Sequence, residues 1–501
     1  MYGFVEWQKA NGTAWNFSTD TVTANITLTA HWKTPTSLVT VDRFIVLNAI
    51  AYINSNVGTY MMIMSTNADT SARSIGEGVH LTIIGMGEER KIQLDGNGGR
   101  LFNLSGSNRS LTLGNNITIA GVVSNTDELV RVAGGASFTM ETGSRIIGNI
   151  SKNADSAGAV VVTGSGSTFT MKGGDIINNA TTATGNSGAV LITGGANFTM
   201  EAGTSITNNT SRATGSAGGV AVTGNNSVFT MNGGRIVANT VTDNPQYTSS
   251  TSYSGGGVHV TGGGVFTMSD GEIFGNIVNG GTTANYNYNG GGVVVTGNGS
   301  VFTMDGGKIF GNTVYRSSSA GGVFIDGTTN AISYFNMNSG EISGNTANAE
   351  SSVGGVFIRG RSEFTMGNGS AILRNTANGD DACGGIKIAG VNAGQERSLF
   401  TMYSGEISNN SATGGKTQTG GLWISNNATF RIVSGLIDGT NNASGNGSVK
   451  VIRVTTQLPG AESTTAEHGT FSTPTNPATW KSSGNISSTN NRIMVSNGQL
   501  Q

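Results

Sequence analysis

The chain has 501 residues, of which 79 are glycine and only 5 proline, with 11% charged side chains and a net charge of −2. So much glycine with so little proline excludes a collagen, and recurring Val, Ile and Phe exclude a disordered chain. Scattered charges of both signs leave no basic footprint for nucleic acid or anionic lipid, no run of eighteen apolar residues offers a transmembrane helix, and the lone Cys383 rules out an intrachain disulfide or a cysteine-based zinc site.

In chain order, the first segment is Tyr2-Gly3-Phe4-Val5-Glu6-Trp7, Asn11–Ser18 and Thr21–Trp32. It resembles the Listeria–Bacteroides repeat, a small β-grasp-like module. Gly3, Trp7, Phe17, Ala30 and Trp32 fall on that pattern, whereas Glu6 replaces its usual Gly and the module's first strand is missing. The resemblance implies a partial module at residues 1–33, with a signal peptide and further surface-protein modules upstream of a truncated or miscalled start. It also implies an extracellular, bacterial cell-surface or secreted location. Thr34–Thr40 reads as a linker, and Val41–Asn54 carries its apolar residues at helical spacing, predicting an N-terminal cap. Tyr60–Met64, Val79–Gly85, Lys91–Leu94 and Leu101–Leu104 then read as irregular first coils, closing a segment at 34–104.

From 105 to 454 the chain repeats itself. Phe-Thr-Met recurs at Phe138, Phe169, Phe198, Phe229, Phe266, Phe302, Phe364 and Phe400, with degenerate copies at Phe335 and Phe430 and weaker ones at Leu81 and Leu111. Each repeat has three short patches. Gly-Gly/Ala-Val-x-Val/Ile comes first, as in Gly219–Val222; Phe-Thr-Met second; and x-Ile-x-x-Asn third, as in Lys308–Asn312. Each patch alternates with period 2, the mark of a strand buried on one face. Three strands this short bury that face only by stacking on copies of themselves. The spacing is wrong for a helical solenoid and too short for a propeller blade. The expected fold is therefore all-β: a single-stranded right-handed parallel β-helix of about 12 coils, a rod on the order of 55–60 Å long.

In-register stacking assigns roles to the recurring residues. Met140, Met171, Met200, Met231, Met268, Met304, Met337, Met366 and Met402 are expected to form a core ladder rather than metal or haem ligands. Asn149, Asn179, Asn209, Asn239, Asn276, Asn312, Asn345, Asn375 and Asn410 are expected to sit in the left-handed turn conformation and to bond to the Asn above and below. The repeats resemble the pectin-lyase-like superfamily and, more loosely, polymorphic outer-membrane proteins, through Gly188-Ala189-Val190 and Ile273-Phe274-Gly275-Asn276. Ile usually stands where the latter carry Phe. Residues 455–501 hold three of the five prolines, with short strands near Phe471 and Ile493–Val495, and read as a C-terminal cap.

Many β-helices cut polysaccharides, and three short stretches of this chain bear on that chemistry. Asn125-Thr126-Asp127, Asp380-Asp381 and His468-Gly469 echo polygalacturonase motifs, but 254 residues separate Asp127 from Asp381. That is on the order of 40 Å along the rod, whereas two carboxylates must sit within about 10 Å across one glycosidic bond. The row Arg145, Asp175, Ser205, Arg235, Glu272, Lys308, Glu341 and Glu406 reads as a mixed-sign solvated face. Asp95-Gly96-Asn97 lacks the rest of a calcium loop, and His31, His80, His259 and His468 share no spacing. No catalytic residue, cofactor or metal ligand is expected.

Two features exceed what a bare rod needs. The outward middle residue of the first patch runs Val161, Leu191, Ala221, His259, Val294, Phe324, Phe357, Lys387, Trp423, and such an apolar row either marks a contact surface or follows from β-propensity and turn packing. The turn before that strand is longest at Thr240–Ser254 and Ile277–Asn289, which hold Tyr247, Tyr253, Tyr286 and Tyr288, with Tyr315 in the next repeat. Tyr-rich loops suit adaptable recognition. The expected binding residues are thus these five tyrosines with Phe324, Phe357 and Trp423. The expected function is a non-enzymatic adhesin-like or spacer stalk binding a host or matrix glycan or protein. The alternative is a polysaccharide lyase or hydrolase built on noncontiguous coils.

Overall fold

The structure, a computed structural model, describes residues 46–182, 186–212, 215–242, 253–279, 288–328, 331–390, 398–414, 418–425, 428–432 and 435–438, with shorter pieces toward both ends (3–10, 15, 20–22, 26–33, 37–41, 450–455, 478–481, 492–496 and 499–500). The chain is a right-handed parallel β-helix. The three patches of each repeat lie in three long sheets of fifteen, fifteen and fourteen strands, and within the repeats each patch pairs in parallel with its counterpart one coil away. From Phe138 to Met402 Phe pairs with Phe and Met with Met, and Thr pairs with Thr except where Asn336 stands between Thr303 and Thr365.

The core follows from this register. Ten phenylalanine rings stack from Phe138 to Phe430 with centroids 4.7–5.1 Å apart. That step is the inter-strand spacing, so the backbone sets it. Nearly parallel rings at such a separation are offset, the arrangement their quadrupoles favour. The nine methionines are fully buried beside them. Several of them pack where the next coil lacks a Cβ: a Cβ at Gly307 (φ +78°) would lie 2.6 Å from Met268 Cε, and one at Gly340 2.6 Å from Met304 Cε.

The asparagine row is a hydrogen-bonded ladder. Asn276 donates from its backbone N (3.0 Å) and Nδ2 (2.9 Å) to Asn312 Oδ1, and its Nδ2 also reaches Ile236 O (2.9 Å). The same pattern runs to Asn410. The left-handed residue, however, is the one before each ladder Asn. Positive φ occurs at Gly148, Asn178, Asn208, Ala238, Gly275, Gly311, Gly344, Arg374 and Asn409. The turn is made there, which leaves the ladder Asn free to aim its amide along the rod.

Three boundaries differ from expectation. The helix covers Val46–Ser55, and Val41 ends a strand, Ser37–Val41, that pairs in parallel with Gly58–Met64. The supposed linker therefore supplies the first strand of the phenylalanine sheet. Val46, Ala49, Ile50 and Ile53 form the buried face of the helix, which caps the core. Each coil also has a fourth short strand after the ladder Asn, from Ile150–Ser151 to Ser411–Thr413, giving a nine-stranded sheet. Toward the C-terminus, Ala478–Lys481 and Arg492–Ser496 pair antiparallel onto the last coils; the strand expected near Phe471 lies outside the described residues. Near the N-terminus, Gly3–Gln8 pairs antiparallel with Thr29–Lys33.

Candidate functional site

Between the fourth strand and the valine strand, the chain turns through a pair of glycines or Gly-Ala. One residue before the turn forms its own parallel bridge ladder: Ala157, Ser187, Ala217, Gly255, then Gly290, Ala320, Val353, Cys383. Four residues later comes the outward middle residue of the valine strand. The sharp turn presses the two together, as with Ala320 and Phe324 or Val353 and Phe357, which share a buried cluster outside the main core. The outward row is therefore a covered corner. Val161, Leu191 and Ala221 fill its first part with Ala157 and Ala217. Phe324 is 0% exposed, Phe357 3% and Trp423 6%. They point away from the core as expected, but they do not form an open apolar surface, because the preceding turn packs over them.

From Val294 onward the corner changes chemistry. Phe324, Phe357, Lys387 and Trp423 occupy successive coils in register. Tyr253 and Tyr288 pair in parallel at the bases of the two long turns, and their rings stack at 5.9 Å. Tyr288 stacks on Phe324 at 5.8 Å, and Phe324 meets Phe357 edge-on at 5.3 Å. Tyr315 is half exposed. Tyr247 and Tyr286 lie outside the described residues. The structure thus brings together Tyr253, Tyr288, Phe324 and Phe357, with Trp423 in the same cluster.

Charged groups interleave with these rings. The Tyr253 hydroxyl donates to Asp326 Oδ2 at 2.9 Å, and Arg359 Nη1 lies 3.5 Å from the same oxygen. The Arg359 guanidinium covers Tyr288, 3.8 Å from the ring centroid. Lys387 Nζ sits 3.7 Å from the Trp423 ring centroid and 5.2 Å from that of Phe357. Burial pushes the Asp326 carboxyl up, against the opposing pull of Arg359 and the Tyr253 hydrogen bond. Burial, then the Asp326 charge, raises Tyr253 above the usual phenol range. Asp326 and Arg359 were not anticipated. Their signal was a broken rhythm: they follow Thr163, Thr193, Thr223, Thr261 and Thr296 at the end of the valine strand.

The arrangement limits the chemistry available. Sugars stack on open ring faces, but here Tyr253, Tyr288 and Phe324 pack as a triangle with centroids 5.8–6.2 Å apart, and Arg359 covers Tyr288. At the other end, Asn125 heads the asparagine ladder by donating to Asn149 (2.9 Å), and Asp127 pairs with Arg100 at 3.1 Å. Buried Glu128 is held by Arg100 (2.7 Å), Arg131 and Ser156 (2.8 Å). The mixed-sign row is laced by Arg145–Glu89 (3.1 Å) and Arg235–Glu272 (3.1 Å). Among the described residues, no three His, Cys, Asp or Glu side chains converge as a metal site, and no helix is long and apolar enough to cross a membrane.

Comparison with protein-family models, with curated proteins and with solved structures finds no match for this chain.

Proposed function

We propose that the protein is a non-enzymatic extracellular stalk: a stiff rod that holds neighbouring modules away from a bacterial surface and engages a host or matrix glycan or protein along the corner near Arg359. The observation that carries this reading is the unbroken register. Aromatic and amide ladders continue through ten coils, so force applied at one end is borne by every coil. The resemblance of residues 1–33 to the Listeria–Bacteroides repeat supports surface display. The resemblance of the coils to the pectin-lyase-like superfamily supports a polysaccharide or glycoprotein ligand. The specific observation favouring a lyase or hydrolase is the Asp326 carboxylate, set between a phenol and a guanidinium.

The test is an array of polysaccharides and host glycoproteins, scored in the same wells for retained protein and for released reducing or unsaturated sugar. Retention without sugar release, weakened by Arg359→Ala, supports the binding stalk. Sugar release abolished by Asp326→Asn overturns it in favour of the enzyme. Neither retention nor release would reduce the proposal to a spacer.

A further inference from the structure

The isoleucine sheet turns two rows of side chains outward, and the rows differ in kind. The first is the mixed-sign row: Asp175, Ser205, Arg235, Glu272, Lys308, Glu341, Ala371 and Glu406 stand in register on eight successive coils. The second, two residues further along each strand, is mainly apolar: Ile177, Thr207, Val237, Phe274, Phe310, Ser343, Leu373 and Ser408. Its Ile, Val, Phe and Leu side chains are partly exposed and lie outside the core. Phe274 and Phe310 stack at 4.8 Å with their planes 6° apart. Each ring thus offers its face to the other, and a sugar, which needs an open face, is poorly served there.

The order of charge along the first row is its own complement. When a second copy is turned end for end about the gap between Glu272 and Lys308, sheet facing sheet, Glu272 meets Lys308 of the second copy. Arg235 meets Glu341, and neutral Ser205 meets Ala371. The outermost pair, Asp175 with Glu406, is like-charged, but Arg145 lies 3.7 Å from Asp175 and offsets it. The same rotation sets Phe274 against Phe310 at the centre and Thr207 against Leu373 beyond them. A turn about the next gap also opposes unlike charges, Lys308 with Glu341 and Arg235 with Glu406, but it moves Phe310 onto Ser343. Parallel packing about an axis along the rod would lay the charged row on the apolar one.

We propose that this face joins two copies of the chain as an antiparallel dimer, its two-fold axis between the coils of Phe274 and Phe310. Sheets packed face to face lie about 10 Å apart, so both rows interdigitate. Eight coils by four residues is roughly 500 Å² per partner, or about 1,000 Å² in total, the lower bound of a specific interface. The dimer is therefore reversible. Exposed pairs within one chain, such as Arg235–Glu272 at 3.1 Å, contribute little alone, so sharing their charges with a second copy sacrifices little.

The experiment is sedimentation of the full chain from about 1 to 100 μM. The wild type is expected to pass reversibly from monomer to dimer, and Phe274→Ser/Phe310→Ser to weaken dimerisation roughly tenfold or more. Arg235→Glu and Glu341→Lys should each be monomeric, because either homodimer opposes two like-charge pairs. An equimolar mixture of the two should dimerise, because every contact between unlike variants is again opposite in sign. Arg235 and Glu341 are three coils apart in one chain, about 14 Å, so a rescue by mixing has no explanation within the monomer. Thermal unfolding confirms that each variant is folded, and Glu272→Lys mixed with Lys308→Glu takes the place of a charge variant that is not. A wild type monomeric throughout the range, dimers unchanged by the folded variants, or a mixture that stays monomeric overturns the proposal.

Discussion

Single side chains in this rod act on two coils at once, which makes their loss expensive. Asn312 accepts from the backbone N and Nδ2 of Asn276 and donates to Ile273 O and Asn345 Oδ1. Asn312→Ala strands buried donors and acceptors at about 1–3 kcal/mol each, so a loss of roughly 3 kcal/mol or more is expected in denaturant titration. Ala238 carries the left-handed φ of +53° that Gly275, Gly311 and Gly344 carry on later coils. An L-residue there costs about 1–2 kcal/mol, partly offset by the chain entropy of glycine, so Ala238→Gly should stabilise by up to about 1 kcal/mol. His259 is buried in the corner, with Nε2 3.2 Å from Thr296 Oγ1, and burial lowers its pKa from 6.5 to about 4. The folded state holds it neutral while the unfolded chain takes up a proton below pH 6.5. Its contribution therefore falls as pH drops from about 6.5 toward 4, by about 3 kcal/mol in all. His259→Val, matching the row's aliphatic members, should remove that loss, read as a smaller fall in Tm between pH 7 and pH 4.5 than in the wild type.

At the scale of the strand and turn, packing is tight enough that one added methyl matters. Gly307→Ala would drive a carbon into Met268 Cε and Gly271 O, 2.6 and 2.7 Å away. A cost of about 1–3 kcal/mol is expected for such overpacking, again visible in the denaturation midpoint. The three long sheets were legible because period-2 alternation and the recurring Phe-Thr-Met state both the strand and its register. The fourth strand was not, although Thr-Val or Thr-Ala follows several ladder asparagines, because two residues are too few to show a period. Thr34–Thr40 reads as a linker in the sequence because the pairing partner of Ser37–Val41 lies on a coil outside the regular repeat. The corner was half legible. Its outward row could be listed from sequence, but whether a turn packs over a row depends on how sharply the two glycines bend the chain. The Asp326–Arg359 pair lay in a position that looked occupied by threonine until the repeats were stacked.

Taken as a whole, the molecule is a sum of nearly interchangeable coils, and its length should be editable. Gly158, Gly188, Gly218 and Gly256 occupy the same turn on successive coils. Deleting residues 158–255, so that Ala157 joins Gly256, should give a folded rod about 14 Å shorter, three inter-strand steps, measurable by small-angle scattering. Collapse into an expanded chain would contradict the additive picture. Interchangeability has a converse for assembly. Identical rungs carry no address: a coil that stacks on the wrong neighbour, looping out the one between, recovers the same rings, amides and methionines. The covered corner breaks that degeneracy. Tyr253 reaches past the next coil to Asp326, and Arg359 lies over Tyr288 from two coils away. A skipped coil leaves the phenol without its carboxylate and the guanidinium without its ring. The irregular strip thus serves as pagination, telling otherwise identical leaves the order in which to be bound.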